Sequence, residues 1–163
     1  MTSHDHNGGT LPAPSTTIER WKHPTGLGVA MNSVFPSAVP EIPVMDVDKA
    51  AAYYESKLGF TLDWGGEQGG IAGISKGHCR MFLTNESFRK PYGTSGPVLI
   101  WLNLDSKEEV NKLYELWRTN QATVVSPPES KPWGLHEFTV ADLDGNLLRV
   151  FYDFGTVASG KQG

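Results

Sequence analysis

The run Pro132-Trp133-Gly134-Leu135-His136-Glu137-Phe138-Thr139-Val140, followed after Ala141 by Asp142-Leu143-Asp144-Gly145-Asn146, decides how this chain is read. Asp144-Gly145 is a strong hairpin signal, because glycine accepts positive φ and aspartate bonds its own backbone. On either side, Glu137 to Val140 and Leu147 to Tyr152 are rich in aromatic and β-branched residues. They predict two strands joined by that turn.

Working outward, the chain reads twice. An extended start (Ala38 to Met45) leads to Asp46 as a helix cap. The helix carries Ala51, Tyr54 and Leu58 at i, i+3 and i+7, and stops at Gly59. The pattern returns 59 residues later. An apolar strand (Val98 to Leu104) leads to Asp105-Ser106, Ser106-x-x-Glu109 forms a capping box, and Val110, Leu113 and Trp117 make the stripe. Strand-like segments follow each helix: Phe60 to Trp64, Ile71 to Ser75 and Cys79 to Leu83, then Thr123 to Ser126, His136 to Val140 and Leu147 to Tyr152. A repeat of this period predicts a duplicated unit that cannot bury its sheet alone. The expected class is α+β, with two tandem βαβββ modules (38–93 and 97–155) in one domain over 37–155. Residues 1–36 form an N-terminal tail and arm, polar at first and then apolar through Ile18, Trp21, Leu27, Val29 and Met31. Residues 156–163 form a C-terminal tail.

Composition narrows the function. A net charge of −4 with both signs interspersed argues against nucleic acid and mildly favours a cationic ligand. No window approaches the run of about 18 apolar residues that a membrane helix needs. The N-terminus lacks the pattern of a secretory signal. The lone Cys79 cannot form an internal disulfide, and the expected compartment is the cytoplasm. His4 and His6 lie in the polar tail and read as solvated bystanders. There is no Gly-x-Ser-x-Gly, Walker loop or dinucleotide fingerprint. Gly65-Gly66 and Gly69-Gly70 read as a flexible hairpin loop.

The βαβββ–βαβββ order over about residues 38–154 resembles the vicinal-oxygen-chelate superfamily of glyoxalases, dioxygenases and bleomycin-resistance proteins. The Pro132-Trp133-Gly134-x-x-Glu137-Phe138 run, Ala38-Val39-Pro40-x-x-Pro43-x-x-Asp46 and Leu58-Gly59-Phe60 are similar to the bleomycin-resistance branch. That resemblance implies a homodimer with exchanged first strands, a proline matching Pro40 near the crossing, and two clefts between subunits. It also implies a bulky, cationic, planar-tailed antibiotic as ligand. The alternatives are a metal-dependent lyase, isomerase or dioxygenase with divergent ligands, or a binder of an endogenous metabolite.

In the superfamily's enzymes four strand positions hold a divalent metal. Alignment places them at Val39, Met81, Val98 and Arg149, none of which can ligate a hard cation. The expectation is therefore no metal, no cofactor and no catalytic residue. Adjacent strand residues point to opposite faces, so neither His78 with Cys79 nor His136 with Glu137 can chelate as a pair. Recognition falls instead to rings and charge. The resemblance puts Trp101 and Trp133 against a planar ligand, with Asp63 and Glu67 meeting basic groups. Strand alternation sets Leu99 and Asn103 on the face of Trp101, and Trp64, ending a strand before the Gly-rich loop, falls at the rim. Ile71 stands where the branch usually has an aromatic; it can cover an apolar face of the ligand but cannot stack, a departure that leaves room for a ligand differing from bleomycin. Trp117, on the helix stripe, is assigned to the core.

Overall fold

The computed structural model describes residues 37–93 and 96–155. The arm expected over 18–36, the two tail histidines and the 156–163 tail lie outside them. Module one runs β1 (Glu41–Pro43), α1 (Val47–Leu58), β2 (Thr61–Gly66), β3 (Ile71–Lys76) and β4 (Cys79–Thr84), followed by a short α2 (Glu86–Arg89). Module two runs β5 (Leu99–Asn103), α3 (Lys107–Thr119), β6 (Thr123–Ser130), β7 (Leu135–Ala141) and β8 (Leu147–Asp153). Each makes a four-stranded sheet in the same order, β1-β4-β3-β2 and β5-β8-β7-β6, with the first strand parallel to the last. The duplicated βαβββ arrangement is thus present.

Local chemistry sets the helices. The Asp46 side chain accepts from Lys49 N at the start of α1, and Gly59 ends it at φ 69°, a left-handed conformation that costs glycine nothing. Ser106 caps α3 through Glu109 N, while Glu109 Oε2 reaches back to Asp105 N. The two caps are 60 residues apart, not the 59 expected from the apolar stripes. The aligned partner of Ala50 is then Val110, both buried, and that of Val39 is Leu99.

Both helices pack on one side of their sheets, and the modules share a single core. Trp117 is 1% exposed, donates Nε1–H to Leu58 O at 2.9 Å, and meets Phe138 edge-on. A polar bolt crosses between modules at the final turn. Asp142 Oδ2 accepts from Tyr54 Oη–H (3.0 Å) and Asn146 Nδ2 (2.8 Å), while its Oδ1 accepts from Asp144 N and Asn146 N. Asn146 Nδ2 also donates to Pro43 O, and its Oδ1 accepts from Val98 N. Burial beside the Asp142 carboxylate pushes the Tyr54 phenol far above its ordinary range.

β1 lies along β4, with Phe82 N donating to Pro40 O and Val44 N to Thr84 O, and its Ile42 and Val44 are 0% and 3% exposed in the core. The Gly-rich loop is the hairpin connection between antiparallel β2 and β3, with Gly66 opposite Ile71. It forms a 3-10 turn (Glu67–Gly69), tied to the start of α1 by Glu67 N to Asp48 Oδ1 and Val47 N to Glu67 Oε2.

His136 ties β7 to α3 from the core side. Asn111 Oδ1 can only accept, so Nε2 carries the proton and Nδ1 accepts from the Ser130 hydroxyl, itself near Lys107 Nζ. Desolvation, then the Lys107 charge, lowers the His136 pKa below its ordinary 6.5. The unfolded chain then binds the proton more readily, so stability is lost as pH falls below about 6.5. Urea midpoints at pH 7.5 and 5.5 should differ by less in His136→Gln than in the wild type.

Candidate binding faces

The side of each sheet away from its helix is the open side, and strand alternation assigns its residues. On β5, Leu99, Trp101 and Asn103 are exposed while Ile100 and Leu102 pack towards the core. Trp101 pairs in register with Arg149 of β8, which pairs with Thr139 of β7; Asn103 pairs with Phe151, which pairs with Glu137. Trp101, 46% exposed, stands edge-on to Phe151 with centroids 5.5 Å apart. The Arg149 guanidinium carbon lies 4.8 Å from the indole centroid, and Arg149 Nε donates to Thr139 Oγ1 at 3.2 Å. Leu99 and Asn103 thus flank Trp101 as the alternation predicted. Among the described residues β5 is an edge strand of its sheet.

Module one carries a similar pair. Trp64 on edge strand β2 is 43% exposed and meets Phe82 of β4 edge-on at 5.4 Å. It does so across Gly73 of β3: a Cβ there would sit 2.5 Å from the indole, so only glycine lets the ring lie flat on the strand. Ile71 is half-buried two residues along the same strand. Asp63 sits at the β2 bulge and accepts from Ser75 Oγ at 2.9 Å.

Other expected residues fall elsewhere. The Glu67 carboxylate bonds within the chain: Oε2 accepts from Val47 N at 2.6 Å and Oε1 from Asn85 Nδ2 at 2.9 Å. A carboxylate beside helix-start N–H groups is held there by two charge-assisted bonds. Trp133, 65% exposed, sits at the β6–β7 turn beyond the end of the module-two face, with Lys131 Nζ 5.9 Å from its ring centroid. Gly134 beside it has φ 90° and packs against Gly155, so the turn is pinned to the chain that leaves β8.

Of the four positions aligned to metal ligands, Met81 is 0% exposed in the core, and Val98 packs on the core. The open-face residues are Leu99 on β5, Arg80 and Phe82 on β4, and Arg149 on β8, while Val39 is exposed two residues before β1. Two features of the repeat set these positions apart. The repeat slips by one residue, and the β3–β4 turn has two residues between paired ends where the β7–β8 turn has five. Among the described residues no three His, Cys, Asp or Glu converge as a metal site. Burial raises the Cys79 thiol pKa. Phe82, Phe151 and Gly73 also belong to the faces, as does Glu137, which the sequence shows only as part of the closing motif; the alternation of Trp101 with Leu99 and Asn103, extended to β8, reaches Phe151.

Two βαβββ modules on one core, each with an aromatic pair on an open sheet face, define a vicinal-oxygen-chelate fold. The family model for the Glyoxalase/Bleomycin resistance protein/Dioxygenase superfamily matches residues 34–150, and the chain belongs to that superfamily. A glyoxalase/bleomycin resistance protein/dioxygenase from Nocardioides is similar at 20% identity and TM-score 0.63, covering 82% of this chain and 93% of its own. TioX from Micromonospora sp. ML1 matches at 22% and 0.58, covering 72% and 99%. A bleomycin-binding protein complexed with bleomycin matches at 24% and 0.57, covering 73% and 99%. At these identities the likeness is one of fold. No curated protein matches the sequence. Among the described residues no helix is long and apolar enough to cross a membrane.

Proposed function

We propose that the chain is a non-catalytic binding protein that sequesters a bulky, cationic, planar-tailed antibiotic of the bleomycin type. The observation that carries the reading is the pair of open sheet faces with Trp64–Phe82 and Trp101–Phe151. A half-exposed indole braced by a second ring offers a rigid stacking platform, worth about 0.5–1.5 kcal/mol per aromatic pair beyond area burial. Arg149 lies over the Trp101 ring, and nearly half of that residue stays exposed to a flat partner. Similarity to a bleomycin-binding protein supports the same reading. In a homodimer, each face of one copy would close over a face of the other, and Trp133 would stand at the rim. Protection would come by mass action, since bound drug cannot reach its target.

Calorimetric titration with metal-free and copper-loaded bleomycin tests this. Saturable binding is expected, with Trp101→Ala weakening it by about 1–3 kcal/mol, the range for removing a stacking ring. Trp133→Ala should fall in the same range if the rim touches the drug. No heat with either form of bleomycin would refute the proposal.

A further inference from the structure

Glu137 is 6% exposed, and its Oε2 is buried with no hydrogen-bond partner. It lies on the open side of β7: its neighbour Phe138 is 0% exposed in the core, and register sets Glu137 opposite Phe151 on one side and Glu129 on the other. Compensation for its charge is thin. Arg149 Nη1 is 4.0 Å from Oε1, the outer limit of an ion pair, and Arg149 is held back by Thr139 and by the Trp101 ring. Across the strands Glu129 adds a second carboxylate, and Lys131 is drawn to that one. Buried carboxylates ordinarily collect donors on both oxygens, and one left open is costly to keep. Here the unpaired oxygen belongs to a side chain on the sheet face that carries Phe151, its register partner, and Trp101.

We propose that Glu137 Oε2 is the ionic anchor of the module-two face, taking an N–H of a protonated amine or amidine carried by a flat aromatic ligand. Trp101 and Phe151 take the ring system. Arg149 keeps its charge on the Oε1 side, and Oε2, buried and unpaired without ligand, is the oxygen that a turn of the side chain presents to an incoming cation. This rests on the binding reading above and names the group of the ligand that the face selects. A site whose buried acceptor lacks a partner discriminates strongly for the ligand that supplies one.

The test compares stilbamidine, a flat aromatic bis-amidine, with its neutral bis-carboxamide, using tryptophan fluorescence, and runs metal-free bleomycin in parallel. Wild type should bind the amidine at least about tenfold more tightly than the carboxamide. Glu137→Gln should lose about tenfold or more in amidine affinity and change carboxamide affinity by less than about twofold. Its urea midpoint should equal or exceed that of wild type, since a neutral amide removes an incompletely paired buried charge. Equal amidine binding by both proteins overturns the anchor, as does a Glu137→Gln chain that fails to fold. Lack of amidine preference in the wild type overturns it without any variant. If bleomycin fails to bind but the Glu137-dependent amidine preference holds, the antibiotic reading falls and the anchor stands. Bleomycin bound equally by wild type and Glu137→Gln gives the reverse.

Discussion

Trp117→Ala is expected to destabilise the protein by about 3–5 kcal/mol, the cost of emptying a buried tryptophan site that cannot collapse. The indole is 1% exposed, leans on Phe138, and bonds the Leu58 carbonyl at the end of α1. Its loss removes core volume from module two and leaves an acceptor of module one without its donor. Urea unfolding followed by far-ultraviolet circular dichroism should show the midpoint collapse, or a chain that never folds. Trp133→Ala is the matched control. With 65% of that residue in solvent, stability should move by no more than about 0.5 kcal/mol, as for other surface changes. Equal destabilisation by the two variants would mean that Trp133 is structural and is no rim residue.

Asp142→Ala is the second large effect, and it acts through hydrogen bonds instead of volume. The carboxylate takes bonds from Tyr54, from Asn146 twice and from Asp144, so one truncation strands several buried donors. Each buried polar group left unpaired costs about 1–3 kcal/mol, and the members of a network are coupled. A loss of about 3 kcal/mol or more is expected. Tyr54→Phe removes one donor and should cost about 1 kcal/mol. A double-mutant cycle separates the two: with Asp142 already absent, Tyr54→Phe should cost much less than it does alone. Additive costs would show that the Tyr54–Asp142 bond does not join the modules.

The same turn shows how far local sequence reaches. Asp144-Gly145 was legible as a hairpin because φ preference and side-chain-to-backbone bonding act within a few residues. Glycine 145 indeed has φ 82°. That Asp142 and Asn146 would clasp Tyr54 and Pro43, some 90 to 100 residues away, was not legible, since nothing near them in sequence differs from an ordinary turn. Glu67 is the opposite case. A glutamate among glycines reads as a solvated loop carboxylate until the loop is seen folded back on the α1 N-terminus.

By itself the sequence determined the order of elements, both helix caps, the hairpin and the place of Trp117 in the core. These follow from apolar periodicity and from cap and turn chemistry, which need only neighbouring residues. Tertiary structure alone decided which face each strand shows. Side chains alternate with a period of two, so the one-residue slip in the repeat and the unequal turns were enough to turn Met81 and Val98 inward. It also decided that Glu137 would be buried beside Trp101, Phe151 and Arg149 with an oxygen to spare. Strand pairing brings these residues together from three segments of the chain, and no interaction between sequence neighbours records that they meet.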